Sequence, residues 1–392
     1  MKRFTALLIA CVMFLAVLPV FAEPADAIPT EETIIVKANV ADIQKYGNLV
    51  LDITASALFD AGFALGDLVW VRIGDGDTNE MPLGSNFADV DQGSSLVRAV
   101  LNADTGDDYV LVAINMGDMA TSSGIATKEK IEADPGFVWH YNDGVAQPVP
   151  VQISLCEQGG YYDEWVVRQL VRSEKREDYP DLTDAEFANF RMIRTTGVGE
   201  GKLYRSSSPV NPEIFRNKEA DAAAREAGIK TFVNLADNDE TMRGYDGFAE
   251  SYYAGQKIIA LNLGVDFAAD EFKAGLAEGI RFIAANEAPY LVHCNEGKDR
   301  AGFTSAVIEC LMGATIEEVV ADYMTTFYNF YGVQPDSEQY SVIANSNIKK
   351  SLAAAFGVDD IMNTDLAAAA EQYLLGIGVS AEDIARVREN LK

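Results

Sequence analysis

The spacing of apolar residues changes character along the chain. Between residues 30 and 150 apolar positions come in short β-branched runs, Thr33–Val40, Asn48–Ile53, Leu68–Ile73 and Tyr109–Ile114, separated by clusters such as Gly74-Asp75-Gly76-Asp77. Runs of this length between turn formers predict strands. Pro148 and Pro150 mark the expected end of this β-rich region. Residues 151–186 carry a helical patch, Asp163–Arg172, and a charged linker, Ser173–Asp178. From residue 187 to 392 strands alternate with helices. Thr231–Leu235 and Lys257–Leu263 read as strands. In Asp270–Asn286 the residues Phe272, Leu276, Ile280 and Ile283 recur at helical spacing, and Tyr290–His293 is a further strand. This alternation predicts an α/β layer fold, so two domains are expected, the first β-rich and the second α/β.

The amino terminus follows neither pattern. Lys2 and Arg3 precede an apolar stretch from Phe4 to Leu18, and Val20-Phe21-Ala22 is a small-x-small cleavage site. Residues 1–22 are therefore expected to be a signal peptide that exports the protein. An uncleaved anchor ranks second, because the run approaches the roughly 20 residues that span a bilayer. Lipid attachment at Leu8-Ile9-Ala10-Cys11 ranks third.

Charge and cysteine usage narrow the picture. The formal net charge of −29 argues against nucleic acid and bulk anionic membrane as partners. Without the leader the cysteines are Cys156, Cys294 and Cys310, which is no disulfide framework. One of the other two could cap Cys294 reversibly under oxidation. With His140 and His293 the only histidines, no zinc site or other metal is expected. Asp75-Gly76-Asp77-Thr78-Asn79 has the look of a calcium loop, but Glu80 stands where the sharp-turn glycine belongs, so a hairpin turn is expected.

The candidate chemistry lies in Tyr290-Leu291-Val292-His293-Cys294-Asn295-Glu296-Gly297-Lys298-Asp299-Arg300-Ala301-Gly302. A strand delivers a cysteine to a glycine-containing loop, an arginine closes the loop, and a helix follows. Loop N–H groups from Asn295 to Lys298 can form an anion nest, and a helix starting near Ala301 adds the positive end of its dipole. Arg300 can grip two phosphate oxygens with its planar fork. Cys294 would feel the same positive field, which favours the thiolate nucleophile. The alternative is a buried structural cysteine at a strand end.

This stretch resembles the signature of the cysteine-dependent protein tyrosine phosphatase superfamily: a cysteine, five residues, then arginine, with the usual preceding histidine. Its Gly297-Lys298-Asp299-Arg300 ending is most similar to the bacterial branch that acts on phosphotyrosine and sometimes phosphoinositides. Asn189-Phe190-Arg191, Leu203-Tyr204-Arg205-Ser206-Ser207, Asp322-Tyr323, Tyr373-Leu374 and Ser380–Ile384 also fit that branch. The resemblance thus runs from about Phe187 to Leu391. It implies an α/β, protein-tyrosine-phosphatase-like three-layer domain, preceded by a smaller β-rich, barrel-like domain. It also implies hydrolysis through a phosphocysteine, without a cofactor, on a phosphorylated protein or an inositol phosphate. His293 would hold the loop from behind and tune the thiolate.

Two aspartates compete as general acid. Asp299 lies inside the loop, where the bacterial branch is expected to use it. Asp266, 28 residues before Cys294, lies where many relatives carry the acid on a movable loop. Asp270 reads as a helix N-cap. Lys298 either faces a polyphosphorylated ring or balances Glu296 and Asp299. Two positions depart from the family pattern. Ala301 replaces a hydroxyl residue that would stabilise the departing thiolate, a loss of about 1.5–3 kcal/mol. Asn234-Leu235-Ala236 replaces Asp-Leu-Arg at a strand end. These departures keep open a second class, a phosphate-recognition module with little or no catalysis. Lys45-Tyr46-Gly47-Asn48, Leu65-Gly66-Asp67 and the early strand spacing also weakly resemble the carboxyl-terminal β-domain of S-adenosylmethionine hydroxide adenosyltransferases, from which no activity is carried over.

Overall fold

The computed structural model describes residues 34–392, and the expected leader, residues 1–22, lies outside the described residues. The first sheet contains β1 (Ile35–Ile43), β2 (Leu49–Leu51), β3 (Leu68–Ile73), β4 (Thr78–Gly84), β5 (Ser95–Asn102) and β6 (Asp107–Ile114). A separate hairpin follows, β7 (Ala126–Lys130) and β8 (Phe137–Tyr141), and then β9 (Pro150–Glu157). Helices α1 (Ala55–Asp60) and α2 (Met119–Ser122) lie in the connections. The seven strands other than the hairpin close into a barrel in the order β1-β2-β6-β5-β4-β3-β9. Alternation fills it: along β3, Val69, Val71 and Ile73 are buried while Trp70 and Arg72 are exposed. The acidic Asp75–Asp77 segment is the hairpin turn between β3 and β4, with Arg72 paired to Thr78. Because β9 pairs with both β1 and β3, the barrel runs on to Glu157. The prolines expected to end it instead precede its closing strand, and Pro150 opens that strand, where a missing donor is tolerated.

The chain continues through α3 (Tyr162–Arg168), α4 (Asp184–Phe187), β10 (Arg191–Met192), β11 (Leu203–Ser206), α5 (Asn217–Glu226), β12 (Thr231–Asn234), α6 (Asp239–Arg243) and β13 (Lys257–Ala260). Then come α7 (Asp270–Ala285), β14 (Tyr290–His293), α8 (Arg300–Met312), α9 (Ile316–Tyr331), α10 (Glu338–Ser346), α11 (Ile348–Phe356), α12 (Leu366–Gly376) and α13 (Ala381–Leu391). The second sheet has the order β10-β11-β14-β12-β13, with β14 central and parallel to both neighbours. Both of its faces are covered. Tyr290 and Val292 join the core with Leu276, Ile280, Phe303 and Leu374, while Leu291 joins Phe232, Ala224 and Tyr253 on the other side. This is the expected three-layer fold, with a strand buried on both faces reading as an apolar run. Helix α8 is buried continuously from Ala301 to Leu311, as befits a helix enclosed by its neighbours.

Two helix starts qualify the sequence reading. The Ser380–Asp383 cap forms, with the Asp383 N–H donating to Ser380 Oγ at 3.1 Å. Asp270 instead occupies the first turn of α7, after an Ala269 cap that makes no side-chain bond. There it contributes favourable charge at the helix amino terminus and lies 4.0 Å from Lys273 Nζ.

Candidate active site

Strand β14 ends at His293, and Cys294 follows at the base of a loop closed by Arg300, the first residue of α8. Cys294 is buried. Among the described residues, the backbone N–H groups from Asn295 to Asp299 donate to no protein acceptor. The Nε of Arg300 is buried and also without a partner. Unpaired donors beside a helix amino terminus make an anion site. Arg300 Nη1 donates to the Leu263 carbonyl at 2.9 Å, fixing the guanidinium against the segment that follows β13. Asn295 accepts at its carbonyl from the Ser208 N–H at 2.8 Å, and its side-chain oxygen is buried and unpartnered.

His293 lies fully buried behind the loop. Nδ1 is 3.4 Å from the Cys294 carbonyl and Nε2 is 3.0 Å from the Tyr253 hydroxyl. A carbonyl only accepts, so Nδ1 carries the proton and Nε2 accepts from Tyr253. Burial holds the imidazole well below its ordinary pKa, against the pull of Asp237, so the ring stays neutral. The imidazole thus bridges the Cys294 backbone and the Tyr253 hydroxyl.

A second buttress was not legible as such in the sequence. The fully buried Arg205 of β11 donates from Nη2 to the Gly297 carbonyl at 2.6 Å and from Nη1 to Asp322 Oδ2 at 2.6 Å. Arg191 Nε donates to Asp322 Oδ1 at 2.7 Å. Burial opposes the Asp322 charge, but Arg191 and Arg205 hold its carboxyl below the usual range. Glu309 lies fully buried beside this group with neither oxygen bonded, and burial together with Asp322 pushes its carboxyl well up. Asn189 Nδ2 adds a bond to the Glu296 carbonyl at 3.0 Å. Arg191, Arg205 and Asp322 stood in segments that matched the family, yet only the structure gives them a common task. Arg205 and Asn189 bind the loop's carbonyls, while Asp322 and Arg191 hold Arg205 and Asn189 in place.

Gly297 is where these parts meet. Its φ is +71°, and a Cβ there would lie 2.2 Å from the Ser206 carbonyl oxygen. Glycine is needed both for the left-handed turn and for the close approach of β11.

The two acid candidates lie in different surroundings. Asp299 caps α8 without a side-chain bond and is about half exposed (47%). Burial pushes its carboxyl up, against the pull of Lys298 and with help from Glu296. Asp266 is exposed, and its Oδ1 accepts from the Ala268 N–H at 3.0 Å, a turn bond leading into α7. Lys298 points into the protein: its Nζ is 3.3 Å from the Tyr331 hydroxyl, 3.3 Å from Glu296 and 3.9 Å from Asp299. Burial opposes its charge, but Asp299 and Glu296 raise its ammonium above the ordinary lysine range. These contacts engage the ammonium with Glu296 and Asp299. Ala301 is fully buried and brings no hydroxyl to the loop. Asn234 uses its side chain locally, accepting from the Ala236 and Asp237 N–H groups and donating to Asp237 at 3.0 Å.

The remaining cysteines stand apart. Cys310 is buried ten residues along α8, roughly 15 Å from the helix start at 1.5 Å per residue. Burial pushes its thiol up to about 12. Cys156 belongs to the barrel, beside Glu80. A cleft of about 820 Å³ on the barrel, lined by Asp77, Glu80, Asp91 and Tyr161 among others, holds no buried unpartnered polar side chain among the described residues.

No curated protein matches the chain. Among solved structures it is similar to an uncharacterized conserved protein from Thermotoga maritima, at 21% identity over 31% of this chain and 36% of that one (TM-score 0.23). The chain thus spans about a third of that protein's length. It is similar to the core catalytic domain of the PP-IP phosphatase SIW14 from S. cerevisiae, at 21% identity over 42% of this chain and 91% of that one (TM-score 0.27). It is also similar to P. aeruginosa TpbA in complex with pTyr, at 19% identity over 44% and 92% (TM-score 0.28). Residues 186–392 match the model of the tyrosine phosphatase family, and with more than half its length matched the chain belongs to that family.

Proposed function

We propose that the protein is an exported phosphatase that hydrolyses phosphate monoesters through a phosphocysteine on Cys294. The supporting observation is the set of unpaired loop amides surrounding a buried cysteine and closed by Arg300. In the first step the Cys294 sulfur attacks phosphorus in line, and the bond from phosphorus to the leaving oxygen breaks. Asp299 gives that oxygen its proton. In the second step water attacks the phosphocysteine, its proton passes to Asp299, and the S–P bond breaks to leave the thiolate and inorganic phosphate. Arg300 and the loop amides stabilise the equatorial oxygens in both transition states.

Phosphotyrosine-like aryl esters are the first substrate class, since Lys298 is engaged by Glu296 and Tyr331 instead of standing free for a further phosphate. Inositol phosphates are the second class to assay. The recognition-module reading draws on one observation, the buried Ala301, which leaves the departing thiolate without a neighbouring hydroxyl. The test is phosphate release from an aryl phosphate by the reduced protein and by Cys294→Ser. Release should vanish in the variant, and equal release from both proteins would refute the thiol mechanism. Export is tested by sequencing the amino terminus of protein recovered outside the cytoplasm. It should begin at Glu23, and protein retained with Met1 would refute cleavage.

A further inference from the structure

The phosphate loop contains a carboxylate, Glu296, whose charge opposes a bound phosphate dianion unless it is neutralised. The residue that meets it comes from outside the family-matched region. Arg172, in the segment after α3, donates from Nη1 to Glu296 Oε1, while Lys298 lies 3.3 Å from Oε2. All three side chains are mostly covered, at 25%, 24% and 19% exposure, and the Arg172 guanidinium sits over the Phe330 ring.

Arg172 is held from both sides. Upstream, the buried barrel residue Asp89 accepts from Trp165 Nε1 at 3.2 Å and from Gln169 Nε2 at 2.9 Å. The Tyr161 hydroxyl donates to the Asp89 carbonyl at 2.8 Å. Downstream, the buried Arg216 donates to the Ser173 carbonyl at 3.3 Å, and the Tyr179 hydroxyl donates to the Phe330 carbonyl at 2.8 Å. The segment that leaves the barrel is thus a strap, pinned at each end, that presents one cation to the loop.

We infer that Arg172 is a positioning residue for phosphate binding: it neutralises Glu296 and turns that carboxylate away from the bound anion, so the barrel side of the molecule completes the phosphate loop. The inference deepens the phosphatase reading but depends only on its binding half. The charged groups near Glu296 are Arg172, Lys298, Asp299 and Arg216, with the Tyr331 hydroxyl beside Lys298 and Glu174 3.9 Å from Arg172 Nη2. Removing Arg172 leaves Lys298 to serve both Glu296 and Asp299. Uncompensated negative charge then stands in a site built for an anion. Removing the Glu296 charge makes Arg172 dispensable.

The test is a double-mutant cycle in the full chain, reading inorganic phosphate affinity by titration calorimetry and kcat and KM on an aryl phosphate. Arg172→Gln should weaken phosphate binding and raise KM roughly five- to tenfold, with kcat changed less than about twofold. In the Glu296→Gln background the same substitution should change affinity by less than about twofold. Arg172→Lys should restore part of the loss. Equal losses in both backgrounds would reduce Arg172 to packing over Phe330 and overturn the inference, as would unchanged affinity in Arg172→Gln. If Arg172→Gln fails to fold, Glu296→Gln alone decides, since phosphate binding weaker than wild type would contradict the inference. Wild-type protein that binds phosphate without Cys294-dependent hydrolysis would sink the phosphatase reading and leave this one standing. Wild-type protein that binds no phosphate would overturn both.

Discussion

At the scale of single residues, the two aspartates make opposite predictions. Asp299 sits in the loop with its carboxyl pushed up, so its protonated form persists to higher pH than an ordinary aspartate's. A general acid acts when protonated, so activity should fall as pH rises through the Asp299 pKa. Asp299→Asn should lower kcat/KM on an alkyl phosphate about 100-fold or more, and much less on an aryl phosphate with a good leaving group. It should also remove that alkaline limb. Asp266→Asn should change either rate less than about twofold, because its carboxylate serves a turn. A pH–rate profile on both variants checks this, and a large loss in Asp266→Asn alone would reverse the assignment. Cys294, His293 and Arg300 were legible in the sequence because their chemistry needs them at fixed spacing around one loop. Arg172 was not, since it only ended the expected helical patch and belonged to no motif. Arg205 and Asp322 gave only a family match, because a buried ion pair joins residues 117 positions apart.

At the scale of elements, the site depends on a parallel strand feeding a loop and then a helix, with a second strand pressed against the loop. Gly297→Ala should therefore act through the backbone. The left-handed φ and the approach to Ser206 together predict a loss of about 2–4 kcal/mol in stability, seen as a lower thermal midpoint and weakened phosphate binding. An unchanged midpoint would mean that the loop relaxes away from β11. The sequence named β14 with its observed bounds, because a doubly covered strand is a continuous apolar run ended by chemistry. Among the barrel strands it named neither β5 nor two harder cases, β4, whose Thr78, Asn79 and Glu80 are polar and exposed, and β9, whose opening Pro150 mimics a linker. In both, barrel closure overrides local propensity.

At the scale of the molecule, the barrel and the phosphatase domain are joined by more than a tether. The Tyr162 hydroxyl donates to Glu338 at 2.8 Å, Lys350 pairs with Asp163 at 3.4 Å, and the strap delivers Arg172 to the loop. A change in the barrel that shifts α3 has a direct route to phosphate binding. The sequence showed two domains but not this coupling, because the contacts depend on how the domains pack and leave no periodic trace. The central claim is that Cys294 carries the phosphoryl group and that Ala301 makes its release slow. The most direct measurement is quenched-flow release of an aryl leaving group by the reduced full chain. The predicted result is a burst near one equivalent of enzyme, absent in Cys294→Ser, with a slower steady phase that Ala301→Ser speeds about tenfold or more. Linear release with no burst, unchanged by Cys294→Ser, would contradict it.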